Sequence, residues 1–419
     1  MDSRGITRRQ FLTATAAGAA GIALAGTGIL APSRALGAND RLRVGIIGAG
    51  DRMGSLMKEF YDLKNDLNCE LTAVCDIWAV NRDKAIKRIT DWYGAKPTVY
   101  ARYEDMLAAK DIDAVIIGTA DFMHATMLRK AILAGKHTYC EKPTANTLDD
   151  ANALIAVAEA HPNIIVQVGT QRRSDGDYHA AANYVATGAL GTIGRVNVSW
   201  NYYGARWLRG GGKDVKPEDV DWKQFEFGRV NKPFDGRTFR EWRLFRPFST
   251  GIPCQWMSHM VDAAHLVTGA KLPKSCVAQG GTYIWKDGRE NGDTFEALFE
   301  YPEGFILNYS TGFGNDGSND FRVIGTQGTL YGEGTSKGWC ANGDGGGKDV
   351  RIKDEVKIKG DKMASHMRNW VESVRAGKQP NATVMNGYQH AVALVMAVRA
   401  LDTGRRQIFD PDKRTITQA

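Results

Sequence analysis

Residues 42–47 form an apolar run that breaks into Gly48-Ala49-Gly50, and residues 51–63 follow with helical spacing. This strand, turn and helix order constrains the fold more than any other feature of the chain. A tight glycine turn feeding a helix N-terminus leaves backbone N–H groups pointing where a pyrophosphate can sit. The turn departs from the usual G-x-G-x-x-G pattern, because Met53 takes the third position and Gly54 comes one later. A second strand over 70–75 ends at Asp76. A carboxylate there either accepts from both ribose hydroxyls and repels a 2′-phosphate, favouring NAD over NADP, or caps the following helix. Strands at 113–119, 137–140 and 163–168 alternate with helices at 124–134 and 148–160. Such alternation predicts a Rossmann-type, doubly wound parallel sheet of α/β class, with its site at the C-terminal strand edge.

The second half reads differently. Strand-like runs at 276–285, 294–301, 305–311 and 321–331 are punctuated by Gly and Asn turns, predicting an α+β domain with a largely antiparallel open sheet. Residues 338–348 hold five glycines and read as a flexible loop, and helices at 363–376 and 385–403 follow. The expected division is residues 1–38 as an export signal, 39–165 as the nucleotide-binding domain and 166–419 as the substrate-binding and oligomerisation domain. The C-terminal helix is expected to pack back on the first domain. An open sheet with an uncovered face usually finds a partner, so a homo-oligomer is expected.

Composition narrows the function classes. Hydrophobic residues at 43% and charged residues at 24% exclude wholesale disorder and a multispan membrane protein. The net charge is +7, but Arg4, Arg8, Arg9 and Arg34 face only Asp2 within residues 1–38, so three of those charges belong to that segment. The remainder interleaves both signs, which gives no basis for a nucleic-acid surface. Thr7-Arg8-Arg9-Gln10-Phe11-Leu12, the uncharged stretch to Ala31 and the small residues at 35–38 resemble a twin-arginine (Tat) export signal. The expected localisation is periplasmic or secreted, by way of the Tat translocase, or membrane-anchored if the signal is not cleaved. The six cysteines include no CxxC pair and suggest neither a zinc ribbon nor a disulfide framework.

The segments Thr119-Ala120-Asp121-Phe122-Met123-His124 and Gly135 to Pro143, ending Glu141-Lys142-Pro143, resemble the Gfo/Idh/MocA oxidoreductases. The likeness runs through Val168-Gly169-Thr170-Gln171-Arg172-Arg173 to the helices from His366 and Gly387. It implies NAD as cofactor, held by Gly48, Gly50, Asp76, Thr119, His124 and Glu141, with a helix-start or core role also open for His124, and a sugar, polyol or glycoside placed against the nicotinamide. It makes Lys142 a catalytic residue, a role that chemistry also supports, since a strand-end lysine can stabilise the alkoxide formed as hydride leaves. Residues 251–262 resemble the helix on which the family carries Asp-x-x-x-His-x-x-Asp, making His259 the second acid/base group and Asp262 a ligand of substrate hydroxyls. Spacings of four and three put such residues on one helical face. Gln255 stands where the first aspartate is expected. It can orient a hydroxyl but cannot take its proton.

Arg172 and Tyr178 follow the domain crossover and are expected at the substrate; for Arg172 and Arg173 a solvated surface position is equally open. No metal is expected, because the i, i+3, i+6 spacing of His259, Asp262 and His265 turns the last away. The aromatic run from Trp200 to Trp242 offers stacking faces for sugar rings, with at least half of it assigned to core or subunit contact. An exported enzyme cannot rely on exchange of free NAD, so the expected reaction is hydride transfer with a retained, recycled cofactor. A redox-neutral NAD-dependent glycosidase and a non-catalytic sugar-binding protein are the alternatives.

Overall fold

The computed structural model describes residues 40–332, 338–343 and 350–419. The twin-arginine segment expected at 1–38 lies outside the described residues. Among them, no helix is long and apolar enough to cross a membrane.

Six strands build the first sheet: β1 (Leu42–Ile47), β2 (Cys69–Cys75), β3 (Thr98–Tyr100), β4 (Ala114–Ile117), β5 (His137–Cys140) and β6 (Val166–Val168). Their order is β3-β2-β1-β4-β5-β6, and every pair is parallel. The chain reverses direction of growth between β1 and β4, and a doubly wound sheet opens its crevice at that point. Gly48 occupies it with φ +80°, a conformation that suits glycine. A Cβ there would lie 2.8 Å from Thr119 Cγ2. Gly48→Ala is therefore expected to cost about 1–2 kcal/mol and to weaken NAD binding, as read by urea unfolding and a cofactor titration.

The irregular glycine pattern has a packing reason. Close approach of the first helix, Asp51–Tyr61, to the sheet usually comes from a glycine on the helix. Here Met53 is fully buried on that helix, and the glycine lies opposite it: a Cβ on Gly118 would come 2.9 Å from Met53 Cε.

Twelve further strands follow: β7 (Ile193–Ser199), β8 (Tyr202–Tyr203), β9 (Ser275–Gly281), β10 (Thr294–Glu300), β11 (Ile306–Gly312), β12 (Gly314–Asn315), β13 (Phe321–Gly325), β14 (Gly328–Gly332), β15 (Trp339–Asn342), β16 (Val356–Ile358), β17 (Gln407–Asp410) and β18 (Thr415–Gln418). Ten of them form one sheet in the order β16-β15-β14-β13-β7-β11-β10-β9-β17-β18, antiparallel except where β7 meets β11. Strict alternation of burial along β10 shows one face packed and the other open, with Leu298 and its β9 neighbour Val277 on the open side. The run at 321–331 is two strands joined at Thr326-Gln327, and the stretch at 338–348 is not simply a loop. Trp339–Asn342 is a paired strand, and residues 344–348 lie outside the described ones.

Packing divides the chain less simply than a single boundary at 165/166. Strand β6 extends the first sheet to Val168. The helix His366–Ala376 joins that domain's core, with Trp370 fully buried against Phe60 and Tyr139. The helix Val384–Thr403 does pack back, through Thr144 Oγ1 donating to the Gly387 carbonyl at 2.8 Å and Tyr388 OH donating to Asn152 at 2.9 Å.

Candidate active site

A cavity of about 910 Å³ runs along the C-terminal edge of the first sheet, from Gly48, Gly50 and Asp76 at one end to Lys142 and His259 at the other. Its nucleotide end is built by the glycine turn. Gly50 precedes the first helix with no side-chain cap, and nothing lies within 3.9 Å of where its Cβ would be. The first N–H groups of that helix are therefore open to an anion. Asp76 accepts from Ala49 N–H at 2.5 Å and from Trp78 N–H at 2.7 Å, which holds the turn against β2. Burial pushes its carboxyl up to about 6, against the pull of these two N–H groups. Each carboxylate oxygen retains a lone pair, so Asp76 can still accept from a ribose diol while the acid also shapes the loop.

Residues 204–247 close over this end. Val220 bridges Trp78, Asp221 N–H donates to the Ile77 carbonyl at 2.9 Å, and Gln224 reaches the Ala101 carbonyl at 3.2 Å. Phe239 meets the Trp78 ring edge-on at 5.6 Å, and Arg209 pairs with Asp51 at the start of the first helix. The nucleotide cleft is thus roofed by the second half of the chain.

At the other end, Lys142 Nζ donates to the Gln255 carbonyl at 2.6 Å. Burial lowers the ammonium to about 8, with Arg243 adding to the effect and Glu141 opposing it. Glu141 accepts from Arg52 Nε at 2.7 Å and from Gln171 at 3.2 Å, tying the first helix to the Lys142 segment. His124 opens the helix His124–Leu133 and is buried between the Pro143 carbonyl (2.8 Å from Nδ1) and the Thr119 carbonyl (3.2 Å from Nε2). Burial lowers its pKa, so the neutral ring donates to one carbonyl at a time and clamps the Lys142 segment to the end of β4. Thr119, His124 and Glu141 all line the cavity, though the two ionisable groups are spent on protein partners.

His259 faces the cavity and makes no hydrogen bond to the described residues. Burial, reinforced by Lys142, Arg172 and Arg52, lowers its pKa well below the ordinary value and keeps the ring neutral. Beside it, Trp200 stacks on Trp256 at 4.8 Å and 19°, with Trp207 edge-on to Trp256 at 6.3 Å. Of the aromatic run, Trp200, Trp207, Phe225, Phe227 and Trp242 line the cavity, whereas Tyr202, Tyr203 and Trp222 do not.

The expectation for residues 251–262 needs correcting. Gln255 lies in a π-helical turn, Pro253–Met257, ahead of the α-helix Ser258–Thr268. The i, i+4 relation of an α-helix does not hold across that turn. Its amide hydrogen-bonds Arg243 and Asp121 rather than His259. Asp262 is away from the cavity: both its oxygens accept from Arg173 Nε at 2.9 Å, and both side chains are buried. Arg173 is accordingly no surface charge. Arg172 and Tyr178 also lie off the cavity wall. The Arg172 guanidinium sits 5.2 Å over Trp200, and Tyr178 packs edge-on against Trp339 at 5.3 Å. His265 donates to or accepts from Tyr301 OH at 2.7 Å. Among the described residues, no group of three His, Cys, Asp or Glu is placed to hold a metal ion.

Sequence reasoning passed over Asp121, Arg243, Arg52 and Trp256. Asp121 and Trp256 stood inside the motifs that mattered, and the signal was position: Asp121 is in the turn just after β4, at the sheet edge where such sites gather.

Comparison with known proteins agrees with this architecture. Residues 42–170 match the model described as oxidoreductase family, NAD-binding Rossmann fold, and residues 178–331 match the GFO/IDH/MocA C-terminal domain. Among curated relatives, inositol 2-dehydrogenase/D-chiro-inositol 3-dehydrogenase of Shouchella clausii is 37% identical over 142 residues, 33% of this chain and 38% of that protein. A glycosyl hydrolase family 109 protein of Shewanella amazonensis is 33% identical over 172 residues, 37% of each chain. The chain thus spans little more than a third of the length of these relatives. The aldose-aldose oxidoreductase of Caulobacter crescentus, solved with glycerol, shares the fold at a TM-score of 0.66 and 20% identity, covering 88% of this chain and 100% of that one. The two matched segments account for most of residues 42–331, and the chain belongs to the GFO/IDH/MocA oxidoreductase family, with an NAD-binding Rossmann domain ahead of the family's C-terminal domain.

Proposed function

We propose that the protein is an exported NAD-dependent oxidoreductase acting on a sugar, polyol or glycoside, with a cofactor that stays bound and is recycled in the site. One observation carries the reading: a single cavity joins the glycine turn and Asp76 to Lys142, His259 and a pair of stacked indoles. NAD, when bound there, supplies the acceptor and donor of hydride. Lys142, at about 8, keeps a neutral fraction near neutral pH and can take the proton of a substrate hydroxyl. The neutral His259 ring offers an uncommitted nitrogen to a second hydroxyl. Trp200 and Trp256 present apolar faces to the C–H face of a sugar ring. Substrate contacts of Arg172 and Tyr178 would need movement of Trp200 or of the wall behind it.

Retention of the cofactor is supported by the roof over the cleft, and export by the Arg8-Arg9 motif. Relatives named as inositol dehydrogenases make a polyol or sugar the first class to try. A second reading, redox-neutral hydrolysis of a glycoside, is favoured by the same roof, since a retained cofactor suits a reaction with no net change of redox state; relatives named glycosyl hydrolase family 109 fit it. Homo-oligomerisation through the open sheet face, where Val277, Leu298, Ile306 and Ile408 are exposed, completes the proposal.

The test begins with the purified protein. Denaturation is expected to release a nicotinamide nucleotide in near-stoichiometric amount, and its absence would refute the proposal. Absorbance of the bound cofactor, recorded while free sugars and aryl glycosides are added, then separates the two readings. Accumulating NADH marks an oxidoreductase. Glycoside cleavage without NADH, with solvent deuterium entering the sugar, marks the redox-neutral reaction.

A further inference from the structure

The carboxylate that position 255 lacks is present in the site, but it comes from the other domain. Asp121, 2% exposed, lies in the short 3-10 turn Asp121–Met123 that leads into His124. Its Oδ2 accepts from Gln255 Nε2 at 2.5 Å and from Ser249 Oγ at 3.0 Å, and its Oδ1 accepts from Asn146 Nδ2 at 2.9 Å. The other end of the Gln255 amide is also taken, since Arg243 Nε donates to Oε1 at 2.9 Å. Asp121, Gln255 and Arg243 therefore form a hydrogen-bonded row along the cavity wall, with a carboxylate at one end, a guanidinium at the other and a neutral amide between them. Gln255 also accepts from Lys142 Nζ through its main-chain carbonyl.

We infer that Asp121 is the positioning carboxylate of this site: it fixes the Gln255 amide and supplies, from the turn after β4, the negative charge that faces Lys142. The inference rests on the proposed reading of the cavity as an acid/base site. The amide between Asp121 and Arg243 sets the direction of the row. Its nitrogen must face the acid and its oxygen the guanidinium, so the side chain has one orientation, and the carbonyl that receives Lys142 is held with it. An isolated carboxylate buried here would be costly; three donors offset that cost.

The charge matters because the groups around Lys142 are unevenly balanced. Glu141 faces it but is paired with Arg52, Arg243 opposes its charge, and Cys254 is a thiol that burial pushes up to about 12. His259 is neutral. Asp121 is thus the carboxylate whose charge bears on Lys142 without a cation bonded directly to it. Removing that charge makes the ammonium harder to hold, so the Lys142 pKa falls.

Two nearly isosteric substitutions exchange the acid and the amide: Asp121→Asn and Gln255→Glu. The direct measurement is the pH dependence of Lys142 acetylation in the purified full chain, followed by peptide mass spectrometry with acetic anhydride as probe. The wild-type midpoint is expected near 8. In D121N it should fall by about one unit, so labelling at neutral pH speeds up severalfold. In the double variant D121N/Q255E it should return only part of the way, because a carboxylate again lies in the row but is now paired with Arg243. An unchanged or higher midpoint in D121N, or a double variant no closer to wild type than D121N, would overturn the assignment. Should D121N fail to fold, Asp121→Ser, which removes the charge and keeps a polar partner for the Gln255 amide, decides: its midpoint should fall in the same way, and an unchanged midpoint refutes the inference. This readout needs neither substrate nor turnover. If no sugar reduces the cofactor while the midpoints move as expected, the proposed activity fails and the Asp121 assignment stands.

Discussion

Replacing Lys142 by methionine is expected to lower turnover by about 10²–10⁴-fold, the span typical of a lost general acid/base, with the folded state retained. The side chain is half-buried, and its Nζ has a single protein partner, the Gln255 carbonyl at 2.6 Å. Losing that one hydrogen bond costs about 1 kcal/mol, while methionine keeps the apolar stem in place. Binding of NAD should be little affected, since the glycine turn and Asp76 lie at the other end of the cavity. In the wild type, the rate of hydroxyl oxidation should rise with pH through about 8 as the ammonium gives up its proton, and that limb should vanish in K142M. Rapid-mixing measurements of bound-cofactor reduction would show it. A variant that reduces its cofactor at the wild-type rate would remove Lys142 from the chemistry and pass the role to His259.

The first domain was readable in the sequence because its signals are local. A strand that ends in glycine, an acid at the end of the second strand and alternation of two periods each depend on neighbours along the chain. The exception, Met53 in place of a glycine, is resolved only in three dimensions, where Gly118 on another strand makes the room. The candidate site was half legible for the same reason. Lys142 and His259 reach the cavity from short motifs that place them at a strand end and a helix start. Gln255 does line the cavity, but helical spacing was carried through a segment that is π-helical, so its amide meets Arg243 and Asp121 rather than His259; Asp262 was misplaced because position on a face does not say whether a partner already waits there. Arg173 is such a partner. Its burial could not be read from Gln171-Arg172-Arg173, since two adjacent arginines on a turn point to different neighbours and only the fold decides which one enters the core. Asp121 escaped notice because its value depends on Gln255, distant in sequence and brought near by the domain arrangement.

The Arg173–Asp262 pair gives the second large effect, on stability rather than on turnover. Arg173→Met is expected to destabilise the protein by about 3–5 kcal/mol, because it leaves a carboxylate buried without its counter-charge. The Asp262 side chain is 1% exposed, and the fully buried His390 ring lies beside it, with Nδ1 3.6 Å away. Burial alone would raise the Asp262 carboxyl; Arg173 and then His390 outweigh it and hold the pKa below the usual carboxylate value of 3.8. A depressed pKa in the folded state means the pair's stabilisation is complete above the unfolded pKa and is lost only as pH falls through the folded one. In R173M burial acts nearly unopposed, the folded pKa rises, and acid unfolding should begin at higher pH than in wild type. Replacing both partners, as R173M/D262L, should cost less than R173M alone, since no charge is then stranded. Urea midpoints at neutral and acid pH measure all three. A different result, wild-type stability in R173M with weakened substrate binding, would return Asp262 to the substrate. The buried geometry argues for the first outcome: both carboxylate oxygens are within 2.9 Å of one guanidinium nitrogen, and Asp262 is not among the residues that line the cavity His259 faces.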